Sequence, residues 1–263
     1  MRLRELWDGD GPMFGGWCTI PSAITAEIIG RVGFDWVGID TQHGLIGYGE
    51  MLQMLQALAV TKTPALVRVP WNDPGDIMKA LDAGAAGVII PMVNSPEEAS
   101  LAVAACHYPP RGYRSWGPTR AALHNPAFSP GSANDDVICA VMLESVSAVD
   151  SVDDILNVEG IDGVFIGPAD LALSAGLEPN MLNTDPAHVR RIERIAQACK
   201  ARGIVAGISG NPKSLAHWHE RGFRMLGLLA DSFLLRQSAT QMLESAKQGG
   251  RDERQELKKA GYV

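Results

Sequence analysis

The chain has 263 residues, 46% hydrophobic and 20% charged, with 30 acidic against 23 basic residues for a formal net charge of −7. This is the composition of a globular protein and excludes a disordered chain, while the acidic balance and the lack of any Lys/Arg run speak against nucleic acid as a partner. The best apolar run, 85–93, is interrupted by Gly87 and Pro91 and is far shorter than the roughly 20 residues of a membrane helix, so no membrane partner is expected.

In chain order, short and nearly all-apolar runs bounded by Gly, Pro or Asp occur at 13–18, 35–40, 65–69, 87–91, 137–144, 163–167, 204–208 and 225–230. Runs of this kind fit parallel strands buried on both faces. Between them lie helix candidates with start signals: Ser22 before 23–32, Asn72-Asp73-Pro74 before 75–83, Ser95-Pro96 before 99–107, Asp185-Pro186 before 187–202, Asn211-Pro212 before 213–221, and Asp231 before 232–247. Gly33, Gly84, Gly203 and Gly222 stand at helix ends. Eight strand–helix units in one domain spanning 1–263 predict an α/β TIM (β/α)8 barrel. An open doubly wound sheet is the alternative, but its Gly-rich GxGxxG turn is absent.

Two segments do not fit the repeat. Residues 108–136 form a long stretch rich in Pro, Arg, Trp and Ser, and long loops in compact domains are usually functional or mobile. The polar tail 249–263 reads as a frayed helix or a subunit contact, disordered or packed against another subunit rather than functional. Met1–Asp8 has no apolar leader core, and the dispersed Cys18, Cys106, Cys139 and Cys199 exclude a zinc knuckle or a redox CxxC. They read as buried thiols of a reduced, cytoplasmic protein.

A barrel active site is built at the strand C-termini. Asp40, Gln42 and His43 follow the second run, Arg68 ends the third, Glu144 ends the fifth, and Asp170 follows the sixth. Glu144 is either a ligand at the barrel mouth or a buried acid paired with Arg68. Asp170 is either its partner or a helix first-turn acid. Two close carboxylates need a cation or a proton between them, and an oxygen-only set suits Mg²⁺ or Mn²⁺. His43, in a Gly-flanked loop near acids, reads as a base. Arg68 is either a structural counter-ion or the fork that grips a carboxylate or steadies an oxyanion. None of the lysines lies at a strand C-terminus, which disfavours a Schiff base and calls for a metal as electron sink.

The segments "GFDWVGIDTQHG", "VRVPWNDPGDIMKALDAGAAGVIIPMVNSPEEA", "YPPRGYRSWGP" and "VEGIDGVFIGPADLA" resemble the class II pyruvate aldolases of the HpcH/HpaI family, of the 4-hydroxy-2-oxoheptanedioate aldolase kind, over about 15–230. The resemblance implies a TIM barrel, a hexamer built as a trimer of dimers with a swapped C-terminal helix, and a divalent cation (Mg²⁺, Mn²⁺ or Co²⁺). It implies a 4-hydroxy-2-oxo acid cleaved to pyruvate, or hydroxypyruvate, and an aldehyde. By the same resemblance Glu144 and Asp170 are the metal ligands, His43 the base and Arg68 the enolate stabiliser. Asp40 is an acid beside the base, and Asp82 an acid that raises its basicity. The amides of Ala169 and Asp170 grip the carboxylate, with Gln42 and Trp17 on the substrate; the distal end of the substrate is expected against the 108–136 segment.

Two positions depart from the family pattern: Gln42 stands where Glu often precedes the histidine, and Met142 where a glutamine often lies two residues before the metal Glu. Both bear on how the keto acid is gripped. The alternatives are a citryl- or malyl-CoA type lyase, with Arg111, Arg114 and Arg120 as candidate grips for a CoA tail, and a non-catalytic binding barrel.

Overall fold

The computed structural model describes residues 3–180 and 184–259. Eight parallel strands, β1 (Met13–Cys18), β2 (Trp36–Asp40), β3 (Ala65–Arg68), β4 (Gly87–Ile90), β5 (Ile138–Leu143), β6 (Gly163–Ile166), β7 (Val205–Ser209) and β8 (Met225–Ala230), close in sequence order, with β8 pairing back onto β1. The fold is a TIM barrel, as the strand count predicts.

In chain order the helices are α1 (Leu3–Trp7), α2 (Ala23–Gly30), α3 (Tyr48–Thr61), α4 (Pro74–Asp82), α5 (Pro96–Cys106), α6 (Thr119–His124), α7 (Pro130–Asp136), α8 (Val146–Asp150), α9 (Val152–Leu156), α10 (Pro168–Ser174), α11 (Pro186–Arg202), α12 (Pro212–Glu220) and α13 (Asp231–Lys259). The expected caps do the starting. Ser22, Asp73, Ser95, Asp185 and Asn211 each accept from main-chain N–H groups of the following turn. After the last four, proline takes a first-turn position, where its missing N–H is not needed.

Strand side chains alternate between two cores. Val37, Ile39, Val67, Val88, Ile90, Val141, Leu143, Val164 and Ile166 face the helices, and Met13, Trp17, Trp36, Leu66, Ile89, Ile138, Met142, Phe165 and Met225 fill the lumen. Trp17, Trp36 and Phe165 meet edge to face, with ring centroids 5.6, 5.6 and 6.4 Å apart. Each such pair contributes about 1 kcal/mol beyond area burial. Two glycines make room for the trio: a Cβ at Gly15 would fall 1.9 Å from the Trp36 ring, and one at Gly38 would fall 2.6 Å from the Trp17 ring. Helix α1 covers the strand-start end of the lumen. Leu3 and Trp7 join the inner core, Trp7 Nε1 donates to the Asp162 carbonyl at 2.9 Å, and Arg4 pairs with Asp162 at 2.5 Å.

The structure adds helices that the sequence reading did not place, α1, α3 and α6 to α9, and extends α13. Helix α3 fills a gap in which no helix was expected. It starts on Gly47, which has no capping side chain; instead Glu50 Oε2 accepts the Gly47 N–H at 3.2 Å. The 108–136 segment is not a loop throughout, because it contains α6 and α7, the latter started by Ser129 ahead of Pro130. Helix α13 runs past the expected 247 to Lys259, through Gly249 and Gly250, so the described part of the 249–263 tail is helical and its last four residues lie outside the described residues. Every residue from 232 to 248 is exposed, including Phe233, Leu235, Met242 and Leu243. Among the described residues no helix is long and apolar enough to cross a membrane.

Candidate active site

Because the chain alternates along each strand, Trp17, Asp40, Arg68 and Met142 share the parity of the lumen residues, and Glu144, one step past β5, continues it. Asp40 and Arg68 are direct partners in the β2–β3 register. Arg68 Nε donates to Asp40 Oδ1 at 2.9 Å and its Nη2 to Oδ2 at 2.5 Å, while the guanidinium carbon sits 5.2 Å from the centre of the Trp17 ring. Trp17 is in turn tied by its Nε1 to Ser209 Oγ at 3.1 Å. The cation is thus held by a carboxylate on one side and an aromatic face on the other.

Asp40 has a second task. Its Oδ1 accepts the main-chain N–H groups of Gln42 and His43, both at 3.1 Å, so a two-bond turn on the carboxylate shapes the loop that carries the histidine. Burial pushes the Asp40 carboxyl up, but the Arg68 hydrogen bonds and charge, with the His43 and Gln42 amides, hold it below the usual carboxylate range. The His43 residue itself is exposed. Asp40 therefore touches the main chain of His43. Gln42 turns its side-chain oxygen into a buried position with no hydrogen-bond partner.

Glu144 is buried, with 3% of its surface exposed. Its Oε1 accepts the Met92 N–H at 2.9 Å. Burial pushes its carboxyl up to about 7; the Met92 hydrogen bond and the Arg68 charge pull it down, and the charge of Asp170 raises it further. Asp170 lies exposed in the first turn of α10, whose N-cap Gly167 offers no capping side chain. Gly167 is required by contact: a Cβ there would fall 2.2 Å from Glu144 Oε2. No three His, Cys, Asp or Glu side chains cluster as a ready cation cage among the described residues. Two carboxylates in mutual range, one buried with its Oε2 accepting no hydrogen bond among the described residues, fit a hard divalent cation that completes its shell with water and substrate oxygens.

Asp82 stands apart from the other site candidates. It is the last residue of α4, which runs back antiparallel to β3, so it stands at the strand-start end of the barrel. There its carboxylate accepts from Arg114 Nη2 at 2.7 Å. Within one chain Asp82 and His43 therefore stand at opposite ends of the barrel. The 108–136 segment lies at that same far end and not over the mouth. Arg120 donates to the Ala83 and Leu55 carbonyls, and a cavity of about 460 Å³ is lined there by Pro64, Ala86, Arg114, Arg120 and Val137 among others. Arg111 pairs with Asp135 at 2.8 Å. All three loop arginines are therefore anchors of the segment itself.

Sequence reasoning missed four contributors. Met92 and Asn94, in the turn after β4, support Glu144. Gly167 makes room for it. Asp231, at the start of α13, accepts from Thr19 N and Oγ1, both at 2.8 Å, and from Ile20 N at 3.3 Å, clamping the loop after β1. Only Asp231 carried a readable signal, an acid directly after a strand end.

Over residues 14–238 the chain is matched by the family described as HpcH/HpaI aldolase/citrate lyase. It is 39% identical to the hydroxypyruvate/pyruvate aldolase of Rhizorhabdus wittichii, covering 94% of this chain and 98% of that one. It is 36% identical to the 4-hydroxy-2-oxo-heptane-1,7-dioate aldolase of Klebsiella pneumoniae, covering 87% of each. Among solved structures, an HpcH/HpaI aldolase/citrate lyase family protein from Burkholderia cenocepacia superposes with a TM-score of 0.86 at 31% identity, over 93% of this chain and 98% of that one. With the barrel and the polar cluster at its mouth, these matches show that the chain belongs to the HpcH/HpaI aldolase/citrate lyase family and is a carbon–carbon lyase of the aldolase type.

Proposed function

We propose that the enzyme catalyses the reversible, metal-dependent cleavage of a 4-hydroxy-2-oxo acid to pyruvate or hydroxypyruvate and an aldehyde. The observation that carries the reading is the buried Glu144 carboxylate within range of Asp170, at the mouth of a barrel whose lysines all sit on helices or at their ends. Without a lysine to form a Schiff base, the electron sink has to come from elsewhere. A divalent cation (Mg²⁺, Mn²⁺ or Co²⁺) held by Glu144 and Asp170 would supply Lewis acidity toward the 2-oxo group and carboxylate of the substrate.

The remaining steps belong to the chain. His43 accepts the proton of the 4-hydroxyl as the C3–C4 bond breaks and the aldehyde forms. The bonding pair passes into the C2–C3 unit, and the oxygen on C2 gains charge. Arg68 meets that charge: with Nε and one N–H of Nη2 taken up by Asp40, Nη1 and the second N–H of Nη2 are the donors left to it. Protonation at C3 gives pyruvate. Asp40 positions both Arg68 and the His43 loop. The main-chain amides of Ala169 and Asp170, in an uncapped first turn, suit the substrate carboxylate, and Gln42 and Trp17 line its approach. The CoA-lyase alternative loses its support, because Arg111, Arg114 and Arg120 all have structural partners at the far end of the barrel.

We also propose a homo-oligomer, a hexamer by family resemblance. A helix exposed on every side from 232 to 248, with Leu235, Met242 and Leu243 in water, is the observation in its favour. Cytoplasmic residence is supported by four free, buried cysteines. The deciding experiment on function follows pyruvate methyl protons by NMR in deuterated water. Exchange that requires Mg²⁺, Mn²⁺ or Co²⁺ and stops with a chelator is expected. No exchange with any of the three overturns the proposal.

A further inference from the structure

Met92 has φ of 56°, the left-handed conformation that a side chain other than glycine seldom adopts. Such outliers persist only where the surroundings enforce them. Here the enforcement can be traced. The Met92 amide donates to Glu144 Oε1 at 2.9 Å. Its carbonyl accepts from Asn94 Nδ2 at 2.7 Å. Ser145, the residue after Glu144, donates its hydroxyl to Asn94 Oδ1. The Asn94 N–H is fixed to Glu98 Oε2 at 2.6 Å, at the start of α5, and the Val93 N–H to the Met142 carbonyl at 3.2 Å. The contacts form a closed circuit, Glu144–Met92–Asn94–Ser145 and back along the chain to Glu144, which ties the end of β4 to the end of β5.

We propose that Asn94 is a positioning residue for the Glu144 carboxylate, acting through the main chain of Met92; the proposal rests on the reading of Glu144 as a cation ligand. Asn94 spends a side-chain donor and its side-chain acceptor on this circuit, is itself anchored to Glu98 by its main-chain N–H, and so holds the Met92 amide toward Glu144 in a conformation methionine would otherwise leave. With Oε1 pinned by that amide, Oε2 is turned to the space kept open at Gly167. The carboxylate thereby presents one defined oxygen on the α10 side, where Asp170 stands. Outer partners that orient a ligand in this way commonly govern metal affinity 10–100-fold.

The test is Mn²⁺ binding to the full chain, read from the free-ion EPR signal. Asn94→Ala is expected to weaken Mn²⁺ about tenfold or more. The double variant Met92→Gly with Asn94→Ala is expected to recover most of the loss, because glycine takes positive φ without cost and still supplies the amide. A residue that merely stabilised the turn would lower the melting temperature and leave affinity unchanged, and glycine would rescue nothing. Ser145→Ala, which keeps the Asn94–Met92 bond, is expected to weaken binding in the same direction by a smaller factor, and serves as the readout should Asn94→Ala not fold. Wild-type affinity retained in Asn94→Ala, or in Ser145→Ala when that is the readout, or no rescue by glycine, overturns the proposal while leaving the cation reading intact. A wild-type chain that binds no Mn²⁺ overturns the cation reading itself, and the proposal with it.

Discussion

Arg68 and Asp40 face each other directly across the β2–β3 pairing and lock through two parallel hydrogen bonds, with the carboxylate almost fully buried. Removing the charge of one partner strands the other. Asp40→Asn is expected to destabilise the protein by about 3 kcal/mol in urea unfolding. The pair also sets an acid limb. The Asp40 carboxyl is held below its ordinary value, so its contribution is complete above the unfolded value of about 4 and is lost as pH falls through the lower folded value. A plot of melting temperature against pH should therefore fall less steeply below about pH 4 in Asp40→Asn than in the wild type. Arg68→Lys keeps the charge but not the fork, and pyruvate proton exchange is expected to drop about 100-fold.

Glu144 has the opposite sign. Its carboxyl is raised to about 7, so its favourable contribution is present below the unfolded value of about 4.3 and is lost as pH rises to about 7. In chelator-treated protein above pH 7, Glu144→Gln is expected to melt higher than the wild type, since a buried charge is gone and Oε1 can still accept from Met92. The same variant should bind Mn²⁺ poorly. In the wild type, Mn²⁺ affinity should rise about tenfold per pH unit below 7 and level off above it, because one proton is displaced. A flat affinity profile between pH 5.5 and 8 would count against Glu144 as a ligand.

Gly167→Ala places a methyl 2.2 Å from Glu144 Oε2, and the Glu144 carboxylate must shift to relieve it. The expected outcome is at least a tenfold loss of Mn²⁺ affinity with a circular dichroism spectrum matching the wild type. The pair of readings separates displacement of a ligand from collapse of the barrel.

His43 is exposed, and it meets Asp40 through its main-chain N–H. His43→Ala should therefore leave the urea midpoint almost unchanged while lowering the retro-aldol rate about 100-fold or more. Near-native rates in this variant would remove the base assignment.

Much of this architecture can be read from the chain because one physical rule governs each part. Strands buried on both faces must be apolar throughout, which makes β4 and β6 conspicuous, and Asp73-Pro74, Ser95-Pro96, Asp185-Pro186 and Asn211-Pro212 combine a cap with a fixed φ at each helix start. Asp40, Arg68 and Glu144 stand out as charges closing apolar runs. Where no local rule acts, the reading fails. Helix α3 lacks a capping side chain, and the roles of Gly167 and Met92 depend on a carboxylate from another strand. Long-range approach of this kind leaves no mark in spacing or periodicity.

The edge-to-face trio of Trp17, Trp36 and Phe165 seals the lumen beneath Arg68, and Leu3 and Trp7 close its other end. Packed in this way, the lumen gives the proposed substrate no path along the barrel axis, which leaves the mouth as its way in and out. Both fragments of a cleaved substrate have to leave by the route the substrate took in, so the one nearer the rim departs first. Under the proposed reaction, with the 2-oxo acid held next to Arg68, release is expected in the order aldehyde, then pyruvate. In the synthetic direction the order would reverse, and an aldehyde arriving before the oxo acid would obstruct the mouth.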